Sequence, residues 1–166
     1  MKKIAAFCLL FIFFSSPFLF AEEAGRFVDN GDGTVTDSQS GLMWIKDPDF
    51  FGNRCKENRK DFFCELLISK ELAFLPWKKA DLAVRMISLA GHKDWRLPEK
   101  EEIEILNKIH KGELKNPFGG ILEMYWTSSP GGKSNTSWMI FPQQGIFAAI
   151  NHESLGFVWP VRNAGK

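Results

Sequence analysis

The residues best equipped for chemistry are Cys55 and Cys64, which sit close together among Arg54, Lys56, Arg59 and Lys60. A thiol pair can form a disulfide, hold a metal or exchange electrons. Zinc would need a second cysteine pair or a histidine pair at ligand spacing, and His92, His110 and His152 are scattered. Ser128 and Ser129 lack the flanking glycines of a nucleophile elbow. No catalytic residue, metal ligand or cofactor is assigned, and the chain reads as a non-enzyme.

Two stretches offer ligand-binding chemistry instead. Arg54, Lys56, Arg59 and Lys60 face only Glu57 and Asp61 in sequence, so a sulfate-rich glycan could be gripped there by charge-assisted hydrogen bonds. The plainer alternative is a solvated loop held by a disulfide. Further along, Ser134 to Trp138 and Asn151 to Glu153 contain Asn135, Asn151, His152 and Glu153, groups of the kind that bind sugar hydroxyls or a calcium ion. The alternative there is a polar turn after Ile150, with Trp138 in a strand core. Asp29, Asp32 and Asp37 suggest calcium too. Their spacing does not fit an EF-hand loop and no distal bidentate Glu follows, so the segment reads as a turn.

The elements that must position these groups begin after an export signal. Met1-Lys2-Lys3, the apolar run Ile4 to Phe14, Ser15-Ser16-Pro17 and the small Ala21 follow the order of a secretory signal, with cleavage expected after Ala21. The apolar run is shorter than the roughly twenty residues a spanning helix needs. Cys8 leaves with this segment. Residues 22–166 then form one domain, periplasmic or at the cell surface, with no transmembrane segment after cleavage. Loss of Lys2 and Lys3 moves the formal charge from +1 to about −1. No global field remains to attract nucleic acid or an anionic membrane.

Gly25 to Trp44 alternates β-prone residues with Asn, Asp and Gly turns, the pattern of a small meander. Residues 46–76 lose any clean period and hold the cysteines with Phe50-Phe51 and Phe62-Phe63, and so read as a partly helical insertion that packs onto the body. Trp77 to Ala90 has helical spacing, with Pro76 before it and Gly91 after it. A second helix starts at Pro98, with Ile103, Leu106 and Ile109 on one face. Asp94 and Arg96 are placed to pair at the corner between the helices. Four β-like stretches follow, within residues 125–129, 137–141, 145–150 and 156–162. Trp44, Trp77, Trp95, Trp126 and Trp159 read as core. The class is α+β, two helices flanking a mainly antiparallel sheet in which the terminal strands pair.

Several of these blocks, in order, resemble a bacterial family, the C-terminal domain of the collagen-like adhesin type (Lcl C-terminal type). They are Arg26 to Asp37, Ser40-Gly41-Leu42-Met43-Trp44, Leu89 to Pro98, Tyr125 to Ser129 and Val158 to Arg162. The resemblance implies a fold similar to the C-type lectin-like domain. It also implies exported or surface proteins, the best-understood member being an adhesin that binds sulfated glycans. This chain has no collagen-like stalk, and it lacks the cysteines some members carry before the Asp-Trp-Arg-Leu-Pro block and near the C-terminus. A lectin-like enzyme that oxidises cysteine would need its pair in an active cleft, which Cys55 and Cys64 inside the insertion do not resemble.

Two functional classes follow. One is an exported lectin-like binding module for a glycan or cell-surface protein. The other is a structural or assembly subunit of a cell-envelope complex, self-associating through aromatics between Phe50 and Phe63. In either class an oxidising compartment pairs Cys55 with Cys64, and closing so short a loop contributes about 2 to 3 kcal/mol. The exported chain should therefore carry no free thiol. Cys55→Ser with Cys64→Ser should lower the melting temperature yet leave the two-helix body folded, and thiol labelling of the native exported chain at both positions would refute the pairing.

Overall fold

The computed structural model describes residues 25–58, 60, 64–65 and 74–165. The signal segment, Arg59, Phe62 and Phe63 lie outside the described residues. Strands β1 (Phe27–Asp29), β2 (Thr34–Asp37) and β3 (Leu42–Ile45) form the expected meander. Gly33 and Gly41 take φ of 88° and 67° in its two turns, a region costly to residues with a Cβ. Strand β7 (Val161–Asn163) pairs antiparallel with β3, placing Trp44 opposite Val161. The two ends of the domain therefore meet in one four-stranded sheet of order β1-β2-β3-β7.

A second antiparallel sheet holds β4 (Tyr125–Pro130), β5 (Thr136–Phe141) and β6 (Ile146–Asn151) in that order. The fold is thus α+β with two sheets, where the sequence suggested a single one. The residues 156–162 expected as a full strand contribute only their last two to β7. Upstream of these, Phe157 makes an isolated parallel bridge to Tyr125 and Gly156 an antiparallel one to Leu75. This short stretch must serve several neighbours in turn, so no regular ladder forms along it.

Helix α1 (Phe50–Glu57) starts the insertion, and Cys55 joins Cys64 with their Cα atoms 5.6 Å apart. Helix α2 (Trp77–Arg85) buries Ala80, Ala83 and Val84 and ends five residues before the expected Ala90. Gly91 does not cap it. Ala90 and Gly91, at φ of 53° and 77°, form a tight turn closed by reciprocal Leu89–His92 backbone bonds of 3.1 and 2.9 Å. Positive φ at both central residues is the type I′ signature. The second expected helix appears as α3 (Lys100–Ile103) and α4 (Ile105–His110), separated at Glu104. Glu102 accepts the Glu99 N–H at 2.7 Å at its start.

The three-stranded sheet lies between two apolar clusters. Trp126 and Met139 face one with α2, Phe51 and Cys64, while Tyr125 and Ile140 face the other with α3, α4, Trp44 and Trp159. Trp44, Trp95, Trp126 and Trp159 are buried as expected, whereas Trp77 is only half-buried. Gly156 lies where the chain passes closest to this core. A Cβ there would come within 2.5 Å of Met139 Cε and 3.0 Å of Trp126 Nε1. The indole cannot retreat without losing its 2.8 Å bond to the Leu75 carbonyl. Gly156→Ala should destabilise the domain by about 1 to 3 kcal/mol; a urea midpoint unchanged from wild type would show that the contact is relieved freely.

Candidate ligand-binding surface

Pairing of β5 with β6 sets Thr136 opposite Asn151, and the ladder extends one step as the His152 N–H donates to the Asn135 carbonyl at 2.9 Å. Asn135, Asn151, His152 and Glu153, from two separate loops, therefore converge at one end of the sheet. Asn135 takes φ 55°, a conformation asparagine tolerates better than most residues. The Asn151 side-chain oxygen accepts the Glu153 N–H at 2.9 Å, and the Ser154 N–H returns to the Asn151 carbonyl. This is an Asx turn.

His152 forms the floor of this surface. Its ring stacks on Trp77 at 4.6 Å and 13° and meets Trp126 edge-on at 6.4 Å. Its Nε2 lies 3.0 Å from Ser137 Oγ, and its carbonyl accepts the Trp77 N–H at 3.0 Å. The Trp77 indole N–H in turn donates to the Thr127 carbonyl at 2.8 Å. Ser137 is 2% exposed. The Ser137–His152 contact braces the imidazole against the sheet. Asn135, Asn151 and Glu153 are exposed above it. Among the described residues the Glu153 carboxylate, the Asn135 amide and the Asn151 amide nitrogen have no protein partner. Two amides and a carboxylate on a rigid aromatic base suit sugar hydroxyls.

The cysteine loop is arranged differently. Cys64 is 5% exposed and packs with Phe51 and Leu75, so the disulfide ties α1 to the core. Lys56 reaches Asp49 at 3.4 Å and Asn53 at 3.3 Å. Lys60 is exposed and Arg54 half-buried. The two lysines thus display charge on the surface, one beside an acid. Phe50 packs against the core and Phe51 is buried, so neither supplies the exposed aromatic patch that an assembly interface in this segment requires.

The three acidic residues of the N-terminal meander diverge. Asp29 pairs with Lys46 at 2.5 Å, Asp32 accepts from Thr34 at 2.6 Å, and Asp37 holds Arg26 at 2.7 and 2.8 Å. No group of three or more His, Cys, Asp or Glu converges among the described residues. Sequence reading missed an apolar hollow of about 350 Å³ walled by Ile45, Phe50 and Leu89. The two charged residues that line it are both engaged, Lys46 with Asp29 and Asp47 with Asn53 and the Asp49 N–H, leaving little to orient a ligand. It also missed the Trp77–His152 stack, because nothing in the spacing of residues 77 and 152 announces that they meet.

The corner ion pairs differ from expectation. Asp94 binds Arg162 at 2.7 Å, and Arg96 binds Glu102 through two bonds of 2.6 and 2.7 Å. Arg162 is almost wholly buried in the terminal strand and draws the nearest carboxylate, which leaves Arg96 to the first turn of α3.

The architecture and the loop end define an α+β domain in which exposed polar groups cluster over a buried, aromatic-rich core. The Lcl C-terminal domain family matches residues 33–162, most of the chain, and the protein belongs to that family. The chain matches no curated protein. Among the described residues no helix is long and apolar enough to cross a membrane.

These ion pairs set a pH dependence. The hydrogen bond from Arg162 holds the Asp94 carboxyl below the ordinary carboxylate range. Burial alone would raise Glu102, but bonds from Arg96 and the Glu99 N–H outweigh it and lower the group. Carboxylates depressed on folding contribute stability in full above their unfolded values of about 4, and lose it as pH falls through the folded ones. The melting temperature should hold down to about pH 5 and then fall. Asp94→Asn should lower it at neutral pH and flatten the acid limb; an acid limb as steep as that of wild type would exclude Asp94 as a contributor.

Proposed function

We propose that the chain is an exported binding module with a C-type lectin-like fold, and that it recognises hydroxyl-rich glycans at the loop end of the three-stranded sheet. The observation that carries this reading is the convergence of Asn135, Asn151 and Glu153 over the braced Trp77–His152 pair. Groups from separate loops on a rigid base are the usual construction of a recognition surface. Membership of the Lcl C-terminal domain family supports an adhesin-like, surface-associated role. Pairing of the terminal strands in one sheet supports the lectin-like fold. The disulfide supports export. Nothing in this role requires catalysis, a cofactor or a metal, and the partner is a glycan or a glycosylated surface protein.

A glycan array at low and physiological salt tests the reading. Neutral, hydroxyl-rich glycans should bind at both salt concentrations. Asn135→Gly combined with Glu153→Gln should weaken binding by about tenfold, the scale of one or two lost hydrogen bonds, while Lys56→Ala with Lys60→Ala leaves it unchanged. Binding confined to sulfated glycans, abolished by salt and by the lysine changes, would move the function to the cysteine loop. Uniform silence of the array would sink the glycan reading.

A further inference from the structure

Among the described residues the outer edge of β6 stands apart from the other sheet edges. The first sheet ends at β1, three residues long with Asp29 in a salt bridge, and at β7, also three residues long, where Val161 exchanges backbone bonds with Arg96. In the second sheet the outer side of β4 is covered, since the Trp126 N–H donates to Phe157, the Phe157 N–H to Met124 and the Ser128 N–H to Pro98. Strand β6 runs Ile146-Phe147-Ala148-Ala149-Ile150-Asn151. It holds no charge, proline or glycine, and pairs with β5 in unbroken register from Phe141↔Ile146 to Thr136↔Asn151. Natural edges are normally protected by charges, prolines, bulges or short length. None of these protects β6.

The ladder shows which of its groups are free. The His152 N–H donates to Asn135, one step beyond the Asn151 pair. By the alternation of antiparallel pairs, Ile146, Ala148 and Ile150 then bond to β5, and the N–H and C=O groups of Phe147, Ala149 and Asn151 face outward. Among the described residues the Asn151 carbonyl accepts the Ser154 N–H at 3.0 Å, and the other outward groups have no backbone partner. Ile146 is 53% exposed and Ala149 is exposed as well.

We infer that β6 is a self-association edge, on which a second copy of the chain adds its own β6 antiparallel to make a six-stranded sheet. A two-fold axis through Ala149 sets Ala149 against itself and Phe147 against Asn151 of the other copy, with about four backbone hydrogen bonds between free groups and two more that would share the Asn151 carbonyls with Ser154. Both strands are uncharged, so no like charges meet. Glu153 comes opposite the neutral Gln144-Gly145 turn of the partner copy. Small side chains at Ala148 and Ala149 let the strands approach. On one face Lys100 lies 3.9 Å from the Trp138 ring centre and 5.2 Å from that of Phe147, covering side chains and leaving the edge main chain open. A charge-free strand offers a foreign peptide no side-chain selectivity, whereas a second copy matches it in length, register and charge. A six-residue edge is smaller than a standard interface, which places the dissociation constant in the micromolar range, roughly 1 to 100 μM. The inference does not depend on glycan binding.

Sedimentation equilibrium of the oxidised, exported chain between about 1 and 500 μM reads the association, bracketing that constant. Ala149→Lys puts like charges face to face and should weaken the dimer at least about tenfold, as should Ala149→Glu. Mixing the two variants should restore a dimer containing one copy of each. Thermal melts confirm that both variants are folded. A monomeric wild type across the range overturns the inference, as does a dimer that persists unchanged in folded Ala149→Lys, or a mixture of the two variants that fails to associate.

Discussion

The arrangement depends on one run of buried main chain, Gly156 to Arg162, which threads between the two sheets and is bonded on both sides. Gly156 exchanges bonds of 3.0 and 3.1 Å with Leu75, and Phe157 bonds to Trp126 of β4 and to Met124 just before it. Pro160 accepts from Ile45, while Val161 exchanges bonds with Arg96 and stands opposite Trp44 in β3. The Trp159 indole donates to the Ile45 carbonyl at 2.7 Å. A buried peptide group without a partner costs about as much as a lost hydrogen bond. Seven buried residues can therefore pass through the core only if the insertion exit, the inter-helix corner and both sheets supply partners together. The segment makes one cooperative unit of elements distant in sequence.

This constraint also explains the charges. Arg162 ends the threaded run with its side chain 1% exposed, and an unpaired cation there would be costly. Asp94, itself about half exposed, supplies the counter-charge, and Met43 Sδ lies 3.7 Å away. Because Asp94 is taken, Arg96 turns to Glu102, whose other bond caps α3. One carboxylate thus links the corner to the helix that covers the second apolar cluster.

Much of the fold was legible in sequence, because its signals are local. The Gly33 and Gly41 turns, the apolar face of α2 and the Ile103, Leu106 and Ile109 stripe each follow from residues a few positions apart, and Cys55 and Cys64 pair as the compartment argument required. What escaped depends on long-range geometry. Nothing near Arg85 marks the end of α2, and beyond it Leu89 and His92 close a tight turn around Ala90, a residue that seldom takes positive φ. The division into two sheets was hidden because the β-like residues 156–162 divide their bonds among four neighbours. At the candidate site the polar residues could be named from composition, while the Trp77–His152 stack joins elements far apart in the chain.

The two surfaces offered for binding differ in a way that constrains ligand chemistry. The loop end presents two amides and the Glu153 carboxylate, so a sulfated or phosphorylated ligand would meet a like charge there, with Lys133 of the β4–β5 turn the cation nearest in sequence to Asn135. The cysteine loop presents Lys56 and Lys60, yet Lys56 is shared with Asp49, and exposed cations on long side chains gain little in physiological salt. Directional hydrogen bonds from a braced surface survive salt and discriminate the orientation of hydroxyls; exposed lysines attract any polyanion and discriminate poorly. The rigidity that His152 gains from Trp77, Ser137 and the α2 N-terminus would contribute little to a purely electrostatic patch, and it lies beneath the surface where geometry can be read.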